Sequence, residues 1–218
     1  MSKQPGIIFD LDGVIIDTEP IYDVFWAAAA VRYHVGIDHF EAIIKGTTMP
    51  NILEKYFSNH TPEERERLIK ECADFEMSMP IIAVPGAISF LSLLKEVGYK
   101  VGLATSSELH KLEHVFSIQP IRQYFDTIVT AERVKQGKPN PDCYLLAAHE
   151  LGIDPVDCMV FEDSINGIKA AHAAGARVVG VTTSVPVERF KGYTVDTIPN
   201  FNNIGISDIN GWMKAERV

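Results

Sequence analysis

Gly6-Ile7-Ile8-Phe9-Asp10-Leu11-Asp12-Gly13 is the stretch on which the fold turns. A short run of large apolar residues, cut off by two carboxylates and a glycine, fits a strand buried on both faces of a parallel sheet. Four comparable runs follow. Val101-Gly102-Leu103-Ala104 precedes Thr105-Ser106-Ser107, and Ile128-Val129 precedes Thr130. Met159-Val160-Phe161 precedes Glu162-Asp163, and Val178-Val179-Gly180-Val181 precedes Thr182-Thr183. Helical patterns lie between them. Pro85-Gly86 opens one that carries Ile88, Leu91, Leu94 and Val97 and stops at Gly98. Ser107 is placed to cap a helix with Leu109, Leu112 and Phe116. Another runs from Asp142 to Leu151, and Ser164 caps a further one that closes at Gly175. Strands alternating with helices predict an α/β fold, a doubly wound, Rossmann-like parallel sheet.

Residues 18–84 break this alternation, because they read as helical throughout. Residues 19–33 are Ala-rich, and Thr61-Pro62-Glu63-Glu64 is a capping box with proline at the first helical position. That box starts a helix expected to face Leu68, Ile69, Cys72, Phe75 and Met79 one way. Lys45-Gly46-Thr47-Thr48-Met49-Pro50-Asn51 reads as a loop. The expected organisation is a core of residues 1–17 and 85–218 with an inserted helical cap, or lid, at 18–84.

Composition sets the outer limits. The chain has 218 residues, 46% of them apolar, and a net charge of −9. It can bury a core without staples. Its 29 acids against 20 bases argue against nucleic-acid and membrane-surface partners held by phosphate contacts. Cys72, Cys143 and Cys158 form no CxxC pair, so a reducing, cytoplasmic setting is expected, without disulfides. No apolar run reaches the roughly 20 residues of a membrane span. Residues 1–6 lead directly into the first run, which Asp10 and Asp12 interrupt, so no secretory leader is expected.

Ligands of open α/β sheets bind beyond the carboxyl ends of the strands, which is where the chemistry-bearing residues fall. Asp10 and Asp12 end the first run and Glu162 and Asp163 a later one. Carboxylates gathered there repel one another unless a cation is present, which suits an oxygen-ligated ion and a carboxylate nucleophile. A solvated turn and a helix N-cap are the plainer readings of each pair alone. Thr105 and Ser106 enter a helix N-terminus, where phosphate binds well. Lys138, in Gly137-Lys138-Pro139-Asn140, offers a balancing charge. His110 and His114 have zinc-compatible spacing but read as surface histidines, with Lys111 and Glu113 on a solvated face.

Taken in order, FDLDGV, LATSS, GKPNPD and FEDSINGI resemble the four motifs of the haloacid dehalogenase superfamily, over residues 7–183. The continuation VIIDTEP resembles the subgroup with a helical cap, which holds β-phosphoglucomutases, phosphoglycolate phosphatases and sugar-phosphate phosphatases. The resemblance implies a phosphatase acting through an aspartyl phosphate. Asp10 would be the nucleophile, Asp12 the acid and base, and Lys138 the charge-balancing lysine. Thr105 and Ser106 would hold phosphoryl oxygens. Mg²⁺ would be held by Asp10, the Asp12 carbonyl and Asp163, with Glu162 as a ligand or just behind one. Gly46, Thr47, Thr48 and Asn51 of the cap loop would select the substrate, a small phosphorylated metabolite. A monomer or weak dimer is expected. A phosphosugar mutase is the alternative. In mutases of this type a histidine on the helix after the first motif couples cap closure to acid–base action, and a cap arginine grips the second phosphate; Tyr22 and Met49 stand at those positions here, which favours hydrolysis.

Overall fold

The computed structural model describes residues 4–44 and 47–216. Six parallel strands form one sheet: β1 (Gly6–Phe9), β2 (Lys100–Ala104), β3 (Thr127–Val129), β4 (Cys158–Glu162), β5 (Arg177–Val181) and β6 (Asp196–Ile198). Their order is β3-β2-β1-β4-β5-β6, so the winding reverses between β1 and β4. That reversal opens a crevice at the carboxyl ends of the central strands. Phe9 pairs with Leu103 on one side and Phe161 on the other, which brings the residues after each strand to one edge.

The helices are α1 (Glu19–Arg32), α2 (Phe40–Ile44), α3 (Met49–Tyr56), α4 (Pro62–Ser78), α5 (Ala87–Val97), α6 (Leu109–Ile118), α7 (Asp142–Leu151), α8 (Ile165–Ala173) and α9 (Ile206–Lys214). Strand alternation divides the core. Ile7, Phe9, Leu103 and Phe161 pack with α5, α6 and α9, while Ile8, Ala104 and Val160 pack with α7 and α8. The first face is aromatic: Phe9 stacks on Phe161 at 5.0 Å between ring centres, and Phe90 and Phe201 close round them. Burying rings of this size fixes the floor of the site, because each contributes on the order of 2 kcal/mol when removed from water.

Between Glu19 and Ser78 the described residues are mostly helical (α1–α4), as the sequence predicts, whereas residues 79–84, also expected to be helical, are not; the helices have a core of their own. Trp26, Phe40, Phe57 and Leu68 are buried in it. The Thr61 box forms in full, with Glu64 N–H donating to Thr61 Oγ1 and Thr61 N–H to Glu64. Two further expectations are corrected. Ile69 does not share the buried face of Leu68 and Cys72; it is 43% exposed and borders a cavity. Ser107 does not cap α6; Glu108 occupies that place, and the Ser107 hydroxyl is directed elsewhere. The strand β6 was not expected, since Asp196-Thr197-Ile198 is short, polar at two of three positions and half-exposed.

Candidate active site

The carboxyl ends of β1, β2 and β4 deliver Asp10, Thr105 and the Glu162-Asp163 pair to one buried cluster. Asp10, Glu162 and Asp163 each offer a carboxylate oxygen within 4.8 Å of the others. Lys138 reaches into the cluster, although it is only 7% exposed. Its ammonium donates to Asp10 Oδ1 and to Glu162 Oε1, each at 2.7 Å, and to the Ala104 carbonyl at 3.2 Å. It also lies 5.0 Å from the centre of the Tyr144 ring.

Close approach is built into two glycines. Gly13 has φ +71°, and a Cβ there would lie 1.9 Å from Asp163 Oδ2. A Cβ on Gly167 would lie 1.6 Å from Glu162 Oε1. Any other residue at either position would displace a carboxylate of the cluster.

Electrostatically the cluster is short of positive charge. Burial pushes the Asp10 carboxyl up to about 7; Lys138 opposes the rise, and Glu162 and Asp12 add to it. Asp163 is raised well above the ordinary range by burial, then by repulsion from Glu162 and Asp10, with a hydrogen bond from Ser184 opposing. Burial alone would depress Lys138, but Asp10 and Glu162 outweigh it and hold the ammonium well above its usual value. One lysine thus serves two of three buried acids. The oxygen-only donor set suits a hard divalent cation. Asp10 and Asp163 are the acids best placed to hold it. Glu162 is already engaged by Lys138, by Tyr144 Oη at 3.0 Å, and by the Ser164 N–H at 2.8 Å.

Asp12 is held separately, and its carboxylate is not part of the acidic cluster. Thr18 Oγ1 donates to Oδ1 at 2.6 Å and Ser107 Oγ to Oδ2 at 2.8 Å. Lys111 Nζ reaches both oxygens, at 2.7 and 2.8 Å. Burial would raise the Asp12 pKa, but the Lys111 charge and these hydrogen bonds hold it below the ordinary range. The solvated face expected for Lys111 is therefore wrong: the residue is 3% exposed. Its spacing gave a usable signal, since Lys111 shares the face of Leu112 and Val115 on α6. Glu113 is exposed as expected. Tyr144, Ser184 and Thr18 were also missed. Tyr144 reads as an ordinary core aromatic of α7, Ser184 carries no motif, and Thr18, although it lies in VIIDTEP, gives no sign there of contact with Asp12.

A cavity of about 290 Å³ joins this cluster to the helical layer. Thr105 and Ser106 line it from the sheet, and Thr47, Thr48 and Met49 from the layer. Asn51 is exposed and not part of the lining, and Gly46 lies outside the described residues. His110 borders the cavity and sits 3.7 Å from Glu76.

The haloacid dehalogenase-like hydrolase family model matches residues 7–181. The chain belongs to the haloacid dehalogenase-like hydrolases. Hexitol phosphatase B of Escherichia coli is 34% identical over 189 residues, covering 80% of this chain and 82% of that one. β-Phosphoglucomutase of Bacillus subtilis is 32% identical over 194 residues, covering 84% of this chain and 85% of that one. Among solved structures, a family IA, variant 3 hydrolase of this superfamily from Entamoeba histolytica superposes with a TM-score of 0.85. It shares 26% identity, over 97% of this chain and all of that one. Asp10, Thr105, Lys138 and Asp163, the residues singled out by the sequence resemblance, come together from four separate parts of this fold.

The charge imbalance has a measurable consequence. The folded Asp10 pKa lies above its unfolded value of 3.8, so between about pH 4 and 7 the cation-free fold binds more protons than the unfolded chain. Its stability therefore falls as pH rises through that window. Asp12, shifted the other way, acts only below it. Chelator-treated protein is expected to melt lower at about pH 7.5 than at about pH 5, and added Mg²⁺ to raise the midpoint more at the higher pH. Thermal unfolding at the two pH values checks both.

Proposed function

We propose that the protein is a Mg²⁺-dependent phosphatase that hydrolyses a small phosphate monoester, a sugar phosphate or similar metabolite, through a phosphorylated Asp10. The observation that carries this reading is the buried Asp10–Lys138–Glu162 bridge, with Asp163 beside it, at the foot of a cavity shared with residues 18–84. Those residues act as the cap domain, over a core of 1–17 and 85–218.

Asp10 attacks phosphorus as the ester P–O bond breaks. Asp12, ionised in the resting protein, takes up a proton as the anionic ester binds and gives it to the departing oxygen. Water then attacks the phosphoryl group, Asp12 takes its proton, and the Asp10–phosphorus bond breaks to release phosphate. Thr105 and Ser106 bind phosphoryl oxygens, and Lys138 keeps Asp10 turned toward the substrate. Mg²⁺ held by Asp10, the Asp12 carbonyl and Asp163 would offset charge on the acids and the phosphoryl oxygens. Thr47 and Thr48 contact the non-reacting end of the substrate. A cytoplasmic location fits three buried cysteines, each a free thiol. The substrate partner is a small molecule, and the chain works as a monomer or weak dimer.

Similarity to a β-phosphoglucomutase keeps a mutase as the second reading. Tyr22 and Met49 argue against it. Both line the cavity, and neither supplies positive charge for a second phosphate. The test is a panel of hexitol phosphates, fructose 1-phosphate and β-glucose 1-phosphate with Mg²⁺, scored by kcat/KM. Phosphate release from one or more sugar monophosphates is expected. Glucose 6-phosphate formed faster than free phosphate would select the mutase instead.

A further inference from the structure

Lys111 is the buried cation that the proposed reaction leaves without a task. It comes from α6, in the sheet domain, and its ammonium grips both oxygens of Asp12. Its other face meets the helical layer, 4.9 Å from the centre of the Tyr22 ring. Tyr22, on α1, donates its hydroxyl to Glu76 of α4 at 2.5 Å. With Thr18 and Ser107, four hydrogen bonds from three residues converge on one carboxylate. Asp12 is thereby fixed in one orientation. Because Lys111 and Asp12 both belong to the sheet domain, the grip does not depend on where residues 18–84 lie; Tyr22 only covers the ammonium.

We propose that Lys111 is a positioning residue for Asp12, and that through this carboxylate it sets how well the enzyme expels a poor leaving group. The inference rests on the reading of Asp12 as acid and base. When the ester bond breaks, its electron pair goes to the leaving oxygen, which takes the Asp12 proton. Lys111 keeps its own proton and stands opposite the carboxylate that forms. Asp12 recovers a proton from the attacking water in the next half-reaction, so the cycle closes without another reagent.

Leaving-group dependence tests this. The value of kcat/KM reports the first half-reaction, in which a sugar oxygen needs a proton and nitrophenolate does not. Lys111→Met is expected to lower kcat/KM for a hexitol phosphate by about 10²-fold, within the range of general-acid help, and to change it only a few-fold for 4-nitrophenyl phosphate. Asp12→Asn, measured alongside, should show the same selectivity. Equal losses on both esters in Asp12→Asn would remove the acid–base reading itself. A selective loss in Asp12→Asn with an equal loss, or none, in Lys111→Met would overturn the role of Lys111 alone. Lys111→Gln, which keeps one donor, is read the same way if the methionine variant does not fold. If neither folds while Asp12→Asn does, Lys111 serves the fold and the proposal fails.

Discussion

Replacing Asp10 by asparagine is expected to end turnover without unfolding the protein. An amide oxygen is a poor nucleophile and cannot form the acyl phosphate, and loss of a covalent nucleophile costs about 10⁴-fold or more. The fold should survive because the buried environment already disfavours a charged Asp10, whose carboxyl stands at about 7. A neutral group of the same shape relieves the repulsion with Glu162 and Asp163, while Lys138 retains Glu162 and the Ala104 carbonyl. At about pH 7.5 with chelator, Asp10→Asn should therefore melt at or above the wild-type temperature. The gain produced by Mg²⁺ should shrink, since one ligand is lost. Steady-state assays and thermal unfolding with and without Mg²⁺ check the two halves separately. Retained turnover would remove Asp10 from the nucleophile's place.

Replacing Lys138 by methionine should produce the largest loss of stability. Methionine fills the stem's volume but supplies no donor, so two carboxylates remain buried with nothing between them. Breaking a buried ion pair from one side costs about 3–5 kcal/mol. The loss should be smaller at about pH 5 than at about pH 7.5, because at the lower pH the acids can take up protons instead. Activity should fall with it, since Asp10 loses the contact that orients it. Chemical denaturation at the two pH values measures the first effect, and kcat the second. Arginine is not expected to rescue, because its planar fork does not fit a site that takes a compact ammonium between three acceptors.

The fold was largely legible because five of the six strands carry apolar runs, four of them inside the sheet and buried on both faces. The sixth, β6, lies at the sheet edge and carries Asp196 and Thr197, so it gives no such signal. The site was legible where residues follow a strand directly, as Asp10, Thr105 and Asp163 do, since chain direction alone carries them to the crevice. It was illegible where a helix contributes. Tyr144 is indistinguishable in sequence from a core aromatic until its hydroxyl is seen on Glu162. The charge of Lys111 favours a solvated reading, while its place on the face of Leu112 and Val115 is what buries it. Serine often caps a helix end, but Asp12 competes for the Ser107 hydroxyl and holds it. In each case a long-range polar contact overrode a sound local preference, and such contacts join residues as far apart as 128 positions.

The proposed reaction passes phosphate through Asp10. Its most direct test is to mix the protein with Mg²⁺ and a rapidly cleaved phosphate ester, quench in acid within the first turnover, and map the phosphoryl group by peptide mass spectrometry. The expected result is a phosphoryl group on Asp10, formed no more slowly than the leaving group is released, and absent from Asp10→Asn. Leaving-group release in a full first turnover with the phosphoryl group on another residue, or with phosphate free and Asp10 never modified, would contradict the account.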